Sequence, residues 1–233
     1  MELWSGNGYR IHKTNTHRCA CYVVETDKAC VLIDTSMRFD RNAIIASLQG
    51  MGIRNIDAIF LTHSHTDHVS NAKYFSELYR CPVFASLKGL DNIKQGQCSM
   101  PRGTQAFSRL ICSIEPRLPF YDFTRFEACP DVAELNNNAV SYLLGDDVEV
   151  LGTPGHTDDS ISFLVSNSVA IVGDAMVNAF GNHYPPFADD EQAVKTSWEK
   201  LLDGGYRWFY PSHGNPVSRN DLSIAYRKIK SPR

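Results

Sequence analysis

The chain has 233 residues, 43% hydrophobic and 21% charged, a balance that excludes a largely disordered protein. Its 23 basic and 26 acidic residues leave a net charge of -3, which argues against a dedicated nucleic-acid binder. Seven cysteines at irregular spacings do not suit a zinc knuckle, so small buried thiols in a reducing, cytoplasmic setting are expected.

The amino-terminal residues show no basic stretch followed by an apolar core, so no secretory signal is expected. No apolar run approaches the roughly 18 residues of a membrane span. Residues 19–25 and 29–33 are β-rich runs about a turn at Thr26, Asp27 and Lys28, which predicts a hairpin ending at Asp34. Residues 40–50 predict a helix capped by Asp40, with Ile44, Ile45 and Leu48 on one face and Gly50 at its stop. A short buried strand follows at 56–61, then a histidine-rich segment, a helix at 71–79 and a strand at 82–85.

The periodicity degrades over 88–138, where prolines interrupt the pattern and Phe107, Phe120, Tyr121, Phe123 and Phe126 cluster. Such a long irregular stretch reads as a cap or insertion on one domain spanning 1–233. Strands are expected at 140–144, 148–151, 160–165, 169–172 and 208–210. Helices are expected at 190–202 and 218–230, the last with Ser218 and Asp221 in capping-box spacing. Two sheets packed face to face with helices outside would fit this order, as would other α/β layouts.

The chemistry concentrates in Thr62-His63-Ser64-His65-Thr66-Asp67-His68. His63 and His65 lie two apart in extended chain just past a strand, so their side chains point the same way and can grip one ion. Asp67 and His68 fall where the chain turns into a helix and can reach a neighbouring ion. Imidazole and carboxylate donors suit zinc, iron or manganese. Three further candidates, His156, Asp174 and His213, stand where apolar runs deliver a polar residue into a glycine-containing loop.

Taken together, Asp34, the H-x-H-x-D-H run, Gly155-His156-Thr157, Gly173-Asp174-Ala175 and Ser212-His213-Gly214 resemble, in order, the motifs of the metallo-β-lactamase superfamily. The resemblance implies a four-layer αβ/βα sandwich. It also implies that His63, His65 and His156 hold one divalent metal, that Asp67, His68 and His213 hold a second, and that Asp174 bridges them. Zinc is the first expectation, with manganese or iron as alternatives. Asp34 would orient a ligand rather than bind metal. The implied reaction is hydrolysis of an ester, thioester, lactone or related acyl bond of a small molecule by a metal-activated hydroxide, with Asp67 accepting a proton.

Asp174 stands where many β-lactamases of the family carry cysteine, which moves the resemblance toward short glyoxalase II-like and lactonase-like members. The short stretch after His213 leaves no glutathione-binding helical region. Val177 replaces the tyrosine that lactonase relatives place there, leaving Asn178, His183 or Tyr184 as candidate oxyanion donors. Asn71 replaces a usual glycine. A mononuclear iron sulfur dioxygenase acting on a persulfide shares this ligand string and is the alternative. A metal-stabilised binding module is a third class, though such relatives usually lose ligands and none is lost here. Specificity is expected in 88–138 and in the loop 177–189, which includes Phe180 and Phe187. The oligomeric state is not readable.

Overall fold

The computed structural model describes residues 1–114, 123–179 and 181–230. Its first sheet runs in chain order: β1 (Glu2–Gly6), β2 (Tyr9–Lys13), β3 (Tyr22–Glu25), β4 (Cys30–Ile33), β5 (Ala58–Phe60), β6 (Val83–Ala85) and β7 (Ala133–Glu134). The first four strands are antiparallel neighbours, and β4 to β7 are parallel. The second sheet contains β8 (Val148–Gly152), β9 (Ile161–Val165), β10 (Val169–Gly173), β11 (Trp208–Pro211) and β12 (Val217–Ser218), in the order β12-β11-β10-β9-β8.

Strand alternation explains the layering, because successive side chains leave a strand on opposite faces. Tyr22, Val24, Val31, Ile33 and Phe60 from the first sheet meet Phe163, Val165, Val169, Ile171 and Tyr210 from the second in a central core. Phe60 stacks on Phe163 with ring centroids 5.6 Å apart, and the Tyr22 hydroxyl donates to the Pro211 carbonyl at 2.6 Å.

The alternate residues face outward onto helices. Val23, Leu32 and Ile59 cover α1 (Arg41–Gly50) and, beyond the single turn α2 (Thr66–Val69), α3 (Ala72–Tyr79), burying Ile44, Leu48 and Phe75. Between β6 and β7 lie α4 (Leu90–Gln95) and α5 (Ala106–Ile114). After α6 (Asn137–Leu144), α7 (Glu191–Asp203) and α8 (Arg219–Lys230) bury Trp198, Leu201 and Leu222 against Ala170, Val172 and Phe209. Helix, sheet, sheet, helix is the four-layer αβ/βα sandwich.

The structure corrects several local expectations. Residues 140–144 belong to α6 rather than a strand. The Asn136 side chain caps that helix by accepting from the Ala139 amide at 3.0 Å. Ala139, Val140, Leu143 and Leu144 then share a helical face on the central core. A five-residue, mostly apolar run fits either period, and the cap decides it.

Strands β1 and β2 were not anticipated in the amino-terminal residues. Asp40 precedes α1 but makes no cap. Its carboxylate accepts instead from the His17 amide at 3.0 Å and the Ser36 hydroxyl at 2.8 Å. The Ser218 hydroxyl does accept from the Asp221 amide, at 3.1 Å.

Within 88–138, β7 joins the first sheet and Cys129 and Val132 enter the core beneath it. Phe126 packs there too, while Phe107 and Phe123 line a cavity. Phe120, Tyr121 and Phe180 lie outside the described residues.

Candidate metal centre

Asp34, the histidine-rich run, His156, Asp174 and His213 all lie at one edge of the sandwich, where β4, β5, β8, β10 and β11 end. The segment after β5 is extended through His65, whose backbone (φ -70°, ψ 150°) then enters α2. That single turn carries Asp67 and His68 back toward the site, and the His68 ring comes to 3.9 Å from the His63 ring, centroid to centroid, closer than His65 at 4.8 Å. The two sheets are pinned at this edge by the Ala20 amide donating to the Ser212 carbonyl at 2.8 Å. Gly173 (φ 52°) ends β10 against Thr62, where an added Cβ would sit 2.9 Å from the threonine hydroxyl. Only glycine lets the Asp174 strand approach so closely.

Two clusters result. In the first, His65 Nδ1 lies 3.1 Å from His63 Nε2 and 2.8 Å from His156 Nε2. In the second, His213 Nε2 lies 3.3 Å from an Asp67 oxygen and 3.4 Å from an Asp174 oxygen, and His68 Nε2 is 3.6 Å from the other Asp174 oxygen. Asp174 also comes within 3.5 Å of His156 Nε2, so its carboxylate spans both clusters.

The outward ring nitrogens fix which nitrogen faces inward. His68 Nδ1–H donates to Asp34 Oδ2 at 2.7 Å, His156 Nδ1–H to the Phe187 carbonyl at 2.8 Å, and His213 Nδ1–H to the Arg18 carbonyl at 3.1 Å. Thr62 Oγ1 donates to Asp34 at 2.8 Å and stands 3.1 Å from His63 Nδ1, whose proton it can accept. Each of these four rings therefore turns its Nε2 inward, the orientation that outer partners fix in metal sites.

The charge pattern fits a cation. Burial and the neighbouring imidazoles lower the pKa of His63 well below the usual value and that of His65 to about 3, so both stay neutral. Burial also opposes charge on His68 and His213. The acidic neighbours outweigh it, Cys19, Asp34 and Asp174 at His68 and Asp174 and Asp67 at His213, and both pKa values rise well above normal. Asp67 and Asp174 are held ionised against their burial, by His213 and His68. Asp174 Oδ1 is buried without a hydrogen-bond partner, which is costly unless something else satisfies it. Five imidazoles with converging nitrogens and two buried carboxylates are a donor set for a borderline divalent ion such as zinc.

All seven residues expected at the site are thus brought together, and Asp34 stands behind them. Its two oxygens accept from the Thr62 amide, the Thr62 hydroxyl and His68. Three contributors were not foreseen. Thr62 relays Asp34 to His63, and its place directly before the motif was the available signal. Cys19 Sγ lies 3.6 and 3.7 Å from the two His68 ring nitrogens, a position over the ring that no motif announces. Arg18 borders Asp67, with 4.0 Å between Nε and a carboxylate oxygen.

The cluster opens into a cavity of about 830 Å³ lined mainly by apolar groups. Val177 and Tyr184 are on its wall. The Tyr184 hydroxyl is engaged by Glu191 at 3.0 Å, and the Asn178 amide donates to the Pro216 carbonyl at 3.3 Å. His183 Nδ1 lies 3.3 Å from the Val177 carbonyl. Of the three candidate oxyanion donors only Tyr184 is among the described residues lining the cavity, and its hydroxyl is turned to Glu191. No helix among the described residues is long and apolar enough to cross a membrane.

Comparisons with known proteins give the family. The family model for the metallo-beta-lactamase superfamily matches residues 14–213. The chain is 30% identical over 210 residues to a probable metallo-hydrolase of Methanocaldococcus jannaschii, covering 87% of this chain and 90% of that protein. It is 25% identical over 226 residues to the probable metallo-hydrolase YflN of Bacillus subtilis, covering 86% and 83%. The solved structure of the B3 metallo-beta-lactamase BLEG-1 superposes with a TM-score of 0.71 at 19% identity, over 95% of this chain and 100% of that one. The chain belongs to the metallo-β-lactamase superfamily and is a metallo-hydrolase.

Proposed function

We propose that this enzyme is a dinuclear zinc hydrolase that cleaves an ester, thioester, lactone or related acyl bond of a small molecule. His63, His65 and His156 would hold one ion and Asp67, His68 and His213 the other, with Asp174 available to both. The observation that carries the reading is the Asp174 carboxylate, which reaches His68 with one oxygen and His156 and His213 with the other. A residue so placed serves two neighbouring ions better than one.

Bound metal would supply Lewis acidity, activating water and polarising the acyl carbonyl. The protein's own part is positional and protonic. Asp34, Phe187 and Arg18 lock the ligand rings in orientation. Asp67, kept ionised by His213 and His68, takes the proton of the attacking water. The apolar wall excludes bulk water and accepts the substrate's apolar part. Met100, Phe107, Ile111 and Phe123 from one segment and Val177, Pro186 and Phe187 from another supply much of that wall and act as the cap.

Metal content measured on protein purified without added metal or chelator tests the reading. About two zinc or manganese ions per chain, with turnover on an acyl panel, is the expected result. About one iron per chain and persulfide oxidation would replace it with the oxygenase. Asp174→Ala should abolish turnover with little loss of fold, and full activity in that variant would sink the dinuclear mechanism.

A further inference from the structure

The cavity has a polarity that its apolar wall hides. Met37, Phe107, Ile111, Phe123, Pro186 and Phe187 line it, and among the described lining residues Arg18 is the one lysine or arginine. Its placement is built rather than incidental. The Arg18 carbonyl accepts from His213 Nδ1 at 3.1 Å, and two residues on, the Ala20 amide is bound to the Ser212 carbonyl at 2.8 Å. The backbone that holds Arg18 is therefore clamped to the ligand loop itself.

The side chain is 58% exposed, with Nε 4.0 Å from an Asp67 oxygen. An ion pair at that limit, open to solvent, contributes little. Asp67 is more closely engaged by His213, at 3.3 Å, and under the proposed function by a metal ion. The planar guanidinium keeps its paired donors for another anion, and its geometry matches a carboxylate.

We propose that Arg18 is the anion-recognition residue of this cavity. The substrate then carries a carboxylate within a few bonds of the scissile acyl carbon, and an apolar remainder that packs against the wall. This rests on the acyl-hydrolase reading for the nature of the bond, but not for the recognition itself. The short separation of Arg18 from Asp67 limits how far the anion can lie from the reacting group. An anion at the far end of a long acyl chain would be out of reach.

Calorimetric titration of the zinc-loaded protein with two slowly reacting probes tests this. One is succinanilate, the half-anilide of succinate; the other is the uncharged butyranilide. Wild type should bind the anion about tenfold more tightly, equivalent to roughly 1.4 kcal/mol. Arg18→Gln should bind the two alike, and Arg18→Lys should keep part of the preference. Zinc content, measured in parallel, should be unchanged in both variants. An undiminished preference in Arg18→Gln would assign the carboxylate to the metal ions and overturn the proposal. So would equal binding of both probes by wild type, or binding of neither. Turnover of the matching phenyl esters is scored separately. Anilide discrimination without ester turnover would overturn the hydrolase reading and leave the role of Arg18 standing.

Discussion

Asp34 is the residue through which the site is held in shape. It sits at φ 60°, a left-handed conformation that asparagine and aspartate tolerate better than other side chains. Asp34→Ala removes the acceptor for Thr62 and His68 and strains the backbone. Metal affinity should fall roughly 10–100-fold, measured by competition with a chromogenic chelator, and Asp34→Asn should lose less. Asn71 plays the matching role for the loop after Asp34. Buried completely, its amide donates to the carbonyls of Thr35 and Met37, each at 2.7 Å, and its oxygen accepts from Arg41 at 3.1 Å. Asn71→Ala leaves two buried carbonyls short of a donor and should cost about 1–3 kcal/mol in urea unfolding. The seven candidate ligands, which the fold brings together, stood out in the sequence because metal chemistry restricts residue type and spacing. The hub at Asn71 was not. Its partners are backbone carbonyls, which carry no sequence signature, and it stood out only as a departure from an expected glycine.

At the scale of elements, the second sheet presents His156 through a contact that allows no side chain. Gly155 has φ 136°, and an added Cβ would lie 2.4 Å from the Val194 backbone nitrogen in α7. Gly155→Ala must push that loop off the helix, which should lower both thermal stability and metal affinity. Asp190→Ala tests the same helix from its start. The carboxylate accepts from the Gln192 and Ala193 amides at 2.8 and 3.0 Å, and losing this cap should cost about 1 kcal/mol of unfolding free energy without reducing metal affinity. Helices α1, α3, α7 and α8 were readable from their apolar faces, and so were the strands of the central core. Residues 140–144 were misread because a short apolar run fits a strand or a helix equally. The amino-terminal hairpin was missed because the half-buried β1 shows no clear alternation.

For the whole molecule, metal and protons compete for the same nitrogens. His68 and His213 have raised pKa values without metal, so both hold a proton at neutral pH. An ion that takes their Nε2 lone pairs must expel it. Metal affinity should therefore rise with pH, and loading at pH 7 should release protons, seen as a dependence of the calorimetric enthalpy on the buffer's ionisation heat. An uptake of protons, or none, would contradict these charge states. The ligands also divide between the sheets: His63, His65, Asp67 and His68 follow β5, whereas His156, Asp174 and His213 follow strands of the second sheet. An ion held as proposed would consequently be a cross-link between two sets of strands that otherwise meet through side-chain packing and a few hydrogen bonds. Its removal should loosen their mutual dependence before it lowers the stability of either. Hydrogen exchange in the chelated protein should then show the second sheet opening independently of the first, while the loaded protein opens both together.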